Sequence, residues 1–248
     1  TEFPLPTPES WPSGVVVAPD GTVWFTEHHG HKVGRLSPSG AIVEFDLPTP
    51  EARPSGITVG PDGNLWFTEF GRNQIGRITP AGAITEFALP RRNSEPYNIV
   101  AGPDGNLWFT ALTGNYVGRI TPSGVVNEFE VPTFGAGPLG LAVGLDGHLW
   151  FTEVWGHQIG RITVSGAITE FAIPTPDCHP RGIVAGPDGN IWFTEWTGNK
   201  IGRMTPAGVV TEFPIPTPFS EPFTIVRGAD GNLWFNEANG NKIARITP

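Results

Sequence analysis

Five glutamates occupy the same position of a sequence repeat, and each is the last residue of a short apolar run that contains a tryptophan. They are Glu27, Glu69, Glu153, Glu195 and Glu237, and a sixth copy of the text has Ala111 at this point. Carboxylates that converge repel one another, and a hard cation such as Mg²⁺ or Ca²⁺ held by their oxygens offsets that repulsion. The pattern predicts a metal site at the five glutamates. The alternative is that each glutamate turns outward to cap its own loop or to meet an arginine.

Two further sets of candidates flank a proline that recurs with the same spacing. The residues after it are Ser13, Ser55, Tyr97, Leu139, Arg181 and Phe223, and those before it are Trp11, Arg53, Glu95, Gly137, His179 and Glu221. Both positions change from copy to copy while the surrounding text stays nearly constant. An asymmetric pocket for a small molecule requires such variation, and an unconstrained loop end would show it as well. We predict from it that Glu95, Arg181, Glu221 and Phe223 bind substrate.

Three histidines lie close together in one loop, at His28, His29 and His31. Closely spaced histidines beside a glutamate suit a transition metal. Their spacing matches no known ligand geometry, so a solvated polar loop is the other interpretation. The chain contains no G-x-S-x-G, no H-E-x-x-H and no glycine-rich phosphate-binding motif.

The spacing of the tryptophans indicates which elements carry these residues. Six tryptophans are each 42 residues from the next: Trp24, Trp66, Trp108, Trp150, Trp192 and Trp234. A strict period of this length is typical of a repeat architecture. One repeat, residues 55–90, holds four short runs rich in Ile, Val, Thr, Trp and Phe, separated by Gly, Pro, Asn and Asp, and no run has helical spacing. Four antiparallel strands per repeat form the blade of a β-propeller, so we predict an all-β, six-bladed β-propeller.

The first residues of the chain have the sequence of the fourth strand of a repeat. Thr1–Pro6 reads TEFPLP, and Thr211–Pro216 reads TEFPIP. We therefore predict that the N-terminal strand joins the C-terminal blade and closes the ring, because closure removes the free edges of an open array of sheets. Residues 1–248 would then form a single domain.

Each repeat also carries an arginine in its third run and a glutamate in its fourth. A two-residue turn at Ala81 and Gly82 would place Arg77 opposite Glu86, and the same register would place Arg245 beside Glu2 in the closing blade. Opposite charges directly across two strands contribute about 0.2–1 kcal/mol each. We interpret these charged residues as scaffold.

Composition excludes several classes of protein. The net charge is −9, with no basic stripe to neutralise phosphates, so we expect no nucleic-acid partner. No apolar stretch of about 18 residues is present, so we expect no membrane partner. The single cysteine, Cys178, excludes an internal disulfide framework. We expect a monomer, located in the cytoplasm or exported after removal of a leader.

The repeated text LWFTE…GNKIGRIT…ITEF.IPTP resembles the virginiamycin B lyase (streptogramin B lyase) family over essentially the whole chain. The resemblance implies a β-propeller that binds a small molecule at its central channel. It implies a lyase that opens the ester ring of streptogramin B antibiotics by Mg²⁺-assisted elimination and so confers antibiotic resistance. Characterised members look seven-bladed, whereas this chain has six repeats.

In that family the histidines of the active site belong to Pro-His pairs at the start of the inner strand, and one of these pairs lies within a Glu-Pro-His segment. Here Glu95-Pro96 and Glu221-Pro222 keep the Glu-Pro pair, but Tyr97 and Phe223 stand where the histidine would be. An elimination then needs another base, for which Tyr97 and His179 are the catalytic candidates. The other hypotheses are a ligand-binding or scaffold propeller without chemistry and a six-bladed sugar-lactone hydrolase.

Overall fold

A computed structural model describes all of residues 1–248. The chain contains 23 β-strands and no helix, and accordingly no helix that could span a membrane. The strands form six antiparallel sheets, each built from strands that are consecutive in the chain. The structure thus confirms the all-β, six-bladed β-propeller fold predicted from the repeats, and the sheets are numbered as blades 1 to 6 in chain order.

The blades have closely similar strand lengths. Blade 1 contains β1 (Pro12–Val17), β2 (Val23–Glu27), β3 (Lys32–Leu36) and β4 (Ile42–Asp46), and blade 2 contains β5 (Pro54–Val59), β6 (Leu65–Glu69), β7 (Gln74–Ile78) and β8 (Ile84–Ala88). Blade 3 contains β9 (Pro96–Ala101), β10 (Leu107–Ala111), β11 (Tyr116–Ile120) and β12 (Val126–Glu130), and blade 4 contains β13 (Pro138–Val143), β14 (Leu149–Glu153), β15 (Gln158–Ile162) and β16 (Ile168–Ala172). Blade 5 contains β17 (Pro180–Ala185), β18 (Ile191–Glu195), β19 (Lys200–Met204) and β20 (Val210–Pro214), and blade 6 contains β21 (Pro222–Arg227), β22 (Leu233–Glu237) and β23 (Lys242–Ile246).

The chain divides into two compact units. The first consists of residues 1–101 with 105–128 and contains blades 1 to 3. The second consists of residues 102–104 with 129–248 and contains blades 4 to 6.

The Asp-Gly turn before each second strand also fixes the recurring tryptophan. In blade 2, Gly63 adopts φ +75°, which glycine reaches without steric cost. The Asp62 carboxylate accepts hydrogen bonds from the backbone N–H of Asn64 at 3.2 Å and from Nε1 of Trp66 at 3.0 Å. One acid therefore closes the turn and orients the indole that the next blade packs against.

Neighbouring blades within a unit join through this tryptophan. Trp24 and Val33 of blade 1 lie in one buried cluster with Ile57, Phe67 and Ile78 of blade 2. The corresponding residues join blades 5 and 6, namely Trp192, Ile201, Ile225, Leu233 and Phe235. Burial of these large apolar side chains, at about 25 cal/mol per Å², is the main term that stabilises each joint.

The predicted ion pairs between third and fourth strands are wrong, because the register differs by one residue. Thr79 and Ala83 close a five-residue turn, so Arg77 pairs with Thr85, and Glu86 pairs with Gly76. A shift of one residue sends each side chain to the opposite face of the sheet. The Arg77 guanidinium lies over the ring of Trp66, 5.5 Å from its centroid, in a cation–π contact.

The strand pairing does not reproduce the closing strand expected from residues 1–6. Blade 6 has three strands, and no strand is present among residues 1–11. The segment lies against blade 1 instead, where the ring of Phe3 packs over Gly40 and the backbone N–H of Thr7 donates to the Glu44 carboxylate at 2.9 Å. The fourth-strand segment of blade 1 makes the same two kinds of contact with blade 2.

Candidate functional site

One edge of every blade carries both sets of residues that flank the recurring proline. The loop before the first strand and the loop after the second strand meet there through backbone hydrogen bonds. The N–H of Trp196 donates to the carbonyl of His179, for example, and the N–H of Thr197 to that of Cys178. We define the loop edge of a blade as the residues on either side of the proline and the two residues after the second strand. In blade 5 these are His179, Arg181, Trp196 and Thr197.

The residue before the proline is left-handed in all six blades. Its φ lies between 45° and 53° at Trp11, Arg53, Glu95, His179 and Glu221, and is 66° at Gly137. Such a conformation costs a non-glycine residue roughly 1–3 kcal/mol and is found preferentially at binding sites. Because five of the six residues are not glycine, the surrounding loop must impose the conformation, and the side chain differs from blade to blade.

In the first unit, aromatic rings line the loop edges of blades 1 to 3. Trp11 stacks on His29 with ring centroids 4.2 Å apart. His28 lies 5.9 Å from Phe70, which meets Tyr97 edge-on at 6.2 Å. Burial lowers the pKa of His28. No group of three or more His, Cys, Asp or Glu side chains is placed to hold a metal ion.

In the second unit, the loops of blades 4 and 5 hold His179 in one orientation. Its Nδ1 lies 3.0 Å from the carbonyl oxygen of Asp177 and 2.9 Å from Oγ1 of Thr197. Thr197 also donates a short hydrogen bond to the same carbonyl. The ring of His157 meets that of His179 edge-on at 4.6 Å, and His157 Nε2 lies 3.5 Å from the Asp177 carboxylate. Nδ1 of His179 is thus engaged, while Nε2 makes no hydrogen bond.

The same blade presents a cation stacked between aromatic rings. The guanidinium carbon of Arg181 lies 3.1 Å from the ring centroid of Trp196 and 5.0 Å from that of Phe223 in the next blade. Trp196 and Phe223 meet edge-on at 6.2 Å. A guanidinium stacked on aromatic rings is held in one plane, and its N–H groups donate hydrogen bonds in that plane.

The two acids expected to bind substrate occupy equivalent places in different units. Glu95 in the first unit and Glu221 in the second are half-buried, and the carbonyl of each accepts a backbone hydrogen bond from the residue after the second strand. Neither carboxylate forms an ion pair within the protein. Tyr97 lies beside Glu95, and Arg181, His179, Glu221 and Phe223 all lie at the loop edges of blades 5 and 6.

The five glutamates predicted to hold a metal lie inside their own blades. Glu27, Glu69, Glu153 and Glu195 are fully buried, and Glu237 is 5% exposed. Four of them pack beneath a loop glycine, so that a Cβ placed at Gly30 would lie 2.6 Å from Oε2 of Glu27, and Glu69 lies against Gly76 of the neighbouring strand. Each glutamate is therefore enclosed by its own blade.

Burial also changes the charge of these glutamates. Burial, together with the negative charge of the fourth-strand glutamate of the same blade, raises the pKa of Glu69 and Glu153 to about 8 and that of Glu27 and Glu195 to about 7. The magnesium site expected at the five glutamates stays a prediction.

Blade 3 differs from the other blades at two positions that lie opposite each other, a relationship that the sequence analysis missed. Ala111 replaces the buried glutamate, and Tyr116 replaces the lysine or glutamine found at its position in the other blades. Both are fully buried and are paired across β10 and β11. The Tyr116 hydroxyl interacts with Ser94 and with the fourth-strand Glu128. The phenol thus occupies the space that a carboxyl fills elsewhere.

The repeated blades and the variable loop edge define a β-propeller that carries its candidate site on connecting loops. The sequence model of the Virginiamycin B lyase family matches residues 1–246, and the chain belongs to that family. Virginiamycin B lyases of Bacillus licheniformis and Bordetella pertussis are 48% and 50% identical to it over 42 residues. These matched segments are 17% of this chain and 14% of each relative.

Solved structures of the family are similar over nearly the whole chain. The selenomethionine-substituted virginiamycin B lyase from Staphylococcus aureus has a TM-score of 0.96 and 47% identity, covering 98% of this chain and 83% of that one. A catalytically inactive histidine-to-alanine variant of the S. aureus enzyme, with quinupristin, has a TM-score of 0.96 and 46% identity, covering 100% and 84%. A gluconolactonase from Xanthomonas campestris, at 20% identity and a TM-score of 0.67, shares the fold alone.

Proposed function

We propose that this chain binds a cyclic peptide ester of the streptogramin B type at its loop edge and opens the ester by elimination, with His179 as the base. The orientation of His179 is the observation that carries the proposal. The loop engages Nδ1 at Asp177 and Thr197, which favours the tautomer whose Nε2 lone pair is available to accept a proton. Membership of the lyase family supplies the reaction class.

The reaction balances without water. Nε2 of His179 takes a proton from the carbon next to the one that bears the ester oxygen. The electrons of that C–H bond form a carbon–carbon double bond, the C–O bond breaks, and the ester oxygen leaves as part of a carboxylate. The proton on His179 passes to solvent. The linear product therefore has the same mass as the neutral cyclic substrate.

The neighbours of His179 suit this ligand. Trp196 and Phe223 offer apolar faces to the ring of a cyclic peptide, and Arg181 can donate to the ester carbonyl, where negative charge grows as the C–O bond breaks. Glu221 is half-buried and forms no ion pair, and its carboxylate can accept hydrogen bonds from peptide N–H groups. Arg181, Glu221 and Phe223 thus have roles in the proposed site that agree with the substrate binding predicted for them. Glu95 and Tyr97 occupy the equivalent positions of a blade in the other unit.

No step of this mechanism is routed through magnesium. A requirement for magnesium stays a prediction, tested by comparing rates with and without EDTA.

A propeller that binds the same ligand without chemistry is the second candidate. One observation favours it, since none of the six residues after the recurring proline is a histidine, and a positioned base contributes about 10²–10⁴-fold to a rate.

Incubation of the protein with quinupristin, followed by mass spectrometry, separates the two candidates. A linear product of unchanged mass supports elimination. A product heavier by one water means hydrolysis and contradicts the mechanism. Intact quinupristin that nevertheless binds to the protein supports the propeller without chemistry.

A further inference from the structure

One position of the repeat, at the end of the loop between the second and third strands, holds either asparagine or histidine. Asparagine occupies it in four blades and histidine in two, namely Asn73, Asn115, Asn199 and Asn241, and His31 and His157. All six residues are left-handed, with φ between 51° and 58°. Asparagine and histidine are both enriched in this conformation among residues other than glycine. The backbone therefore accepts either residue, and the difference between them lies in what the side chain contacts.

Asparagine at this position holds the loop that leads into the next blade. In blade 5, Oδ1 of Asn199 accepts hydrogen bonds from the backbone N–H and the hydroxyl of Ser220, at 2.7 and 2.8 Å, and its amide group donates to two backbone carbonyls. Oδ1 of Asn73 accepts the N–H of Ser94 at 2.9 Å in the same way. Both serines lie two residues before the recurring proline, so the asparagine does not contact the variable residue between them.

Histidine at this position reaches one residue further along the chain. Nδ1 of His157 accepts the backbone N–H of His179 at 3.3 Å, and His31 makes the same contact with Arg53 in the other unit. The carbonyl of His179 accepts the N–H of Trp196 at 3.3 Å. Both polar groups of the His179 backbone are therefore hydrogen-bonded, one to blade 4 through His157 and one to blade 5 through Trp196.

The hydrogen bonds give the two imidazole rings opposite tautomers. Because Nδ1 of His157 accepts, the proton of its neutral ring is on Nε2, which lies 3.5 Å from the Asp177 carboxylate. Nδ1 of His179 faces the carbonyl oxygen of Asp177 and Oγ1 of Thr197, and the Thr197 hydroxyl already donates to that carbonyl. Both oxygens can then only accept from the ring, so the proton of His179 is on Nδ1 and the lone pair on Nε2. Burial lowers the pKa of His157, which favours the neutral ring that can accept.

We propose that His157 is a positioning residue for His179. It fixes the backbone of the proposed base through Nδ1, and its ring, edge-on to that of His179 at 4.6 Å, restricts rotation of the side chain. A base works only when its lone pair is aimed at the proton that it removes, and a misplacement of about 1 Å can cost about 100-fold in rate. The catalytic consequence rests on the proposed function, whereas the contact between the two histidines does not.

His157→Asn tests the proposal with the residue that four other blades carry, so the fold is retained. Its oxygen should accept the N–H of Cys178, as Asn199 accepts that of Ser220, and release the N–H of His179. Hydrogen exchange at the His179 amide, followed by NMR, should then be roughly tenfold faster, the effect of one lost hydrogen bond. The nitrogen chemical shifts of the His179 ring should show a mixture of tautomers. The kcat for quinupristin should fall about 10- to 100-fold, with KM within about twofold of the parent.

His148→Asn is the matched control, because it is the same substitution in the same blade and also introduces the asparagine that four other blades carry at that position. It should leave kcat and the NMR signals of His179 unchanged. Unchanged amide exchange and ring shifts in H157N would overturn the proposal, and so would an unchanged kcat in an active protein. If the parent does not open quinupristin, the proposed function fails, and the NMR signals of His179 still decide whether His157 positions it.

Discussion

The carboxyl group of Glu69 lies buried beside that of Glu86 in the same blade, and the two carry different charges. Glu86 accepts hydrogen bonds from the backbone N–H and the hydroxyl of Thr49 at 3.0 and 2.6 Å, which favour its ionised form. Glu69 has no hydrogen-bond partner for either oxygen, and burial with the negative Glu86 raises its pKa to about 8. Blades 1, 4 and 5 pair a buried and a fourth-strand glutamate in the same way.

Stability should therefore fall as pH rises from 6 to 9. The folded protein keeps a proton on Glu27, Glu69, Glu153 and Glu195 until pH reaches about 7 to 8, while the unfolded chain has lost it near pH 4.5. The folded state therefore binds more protons below that point, and each pH step up to it favours unfolding. The stabilisation is fully present below pH 4.5 and is lost as pH rises through 7 to 8. Glu69→Gln removes this titration and should reduce the pH dependence of the unfolding free energy by about 2 kcal/mol between pH 6 and 9. Chemical denaturation at the two pH values measures it, and an equal slope in E69Q and the parent would contradict the assignment.

The exchange in blade 3 should be visible as a coupling between Ala111 and Tyr116. Ala111→Glu alone places a second polar group where the phenol already fills the space, and should destabilise the protein by about 2–3 kcal/mol. Combined with Tyr116→Gln, it restores the pair found in blade 2 and should recover most of that loss. A double-mutant cycle by chemical denaturation gives the interaction energy. Additive effects would show that the two positions do not compensate each other.

The stacked cation in blade 5 should govern ligand affinity. Trp196→Ala removes the ring that supports Arg181 and should weaken quinupristin binding roughly tenfold or more, in line with cation–π and aromatic contacts of about 1–2 kcal/mol. Leu145→Ala, in an exposed turn of the same unit, is the control and should bind as the parent does. Isothermal titration calorimetry separates the two variants. Equal affinities would place the ligand away from this loop edge.

The blades were predictable from sequence because each turn residue recurs in phase with the strands it separates. The register between third and fourth strands could not be predicted from the sequence. The sequence Thr-Pro-Ala-Gly-Ala is compatible with a five-residue turn and with a two-residue turn, and the two turns differ by one residue in the strand pairing. That register also decides which fourth-strand residue lies beside Glu69. His179 was a candidate base because the histidines implied by the family resemblance are missing from this sequence. Its partners His157 and Thr197 come from other loops, and only the fold brings them to it.

The rate of quinupristin opening in His179→Gln, measured beside the parent and His148→Gln, tests the central claim most directly. Gln retains a side-chain amide that can meet Asp177 and Thr197 but cannot accept the proton, so the account predicts at least about a 100-fold loss of kcat with little change in binding. His148 lies in a turn outside the loop edges, and its variant should retain the parent rate. Equal rates for H179Q and the parent would show that another group removes the proton.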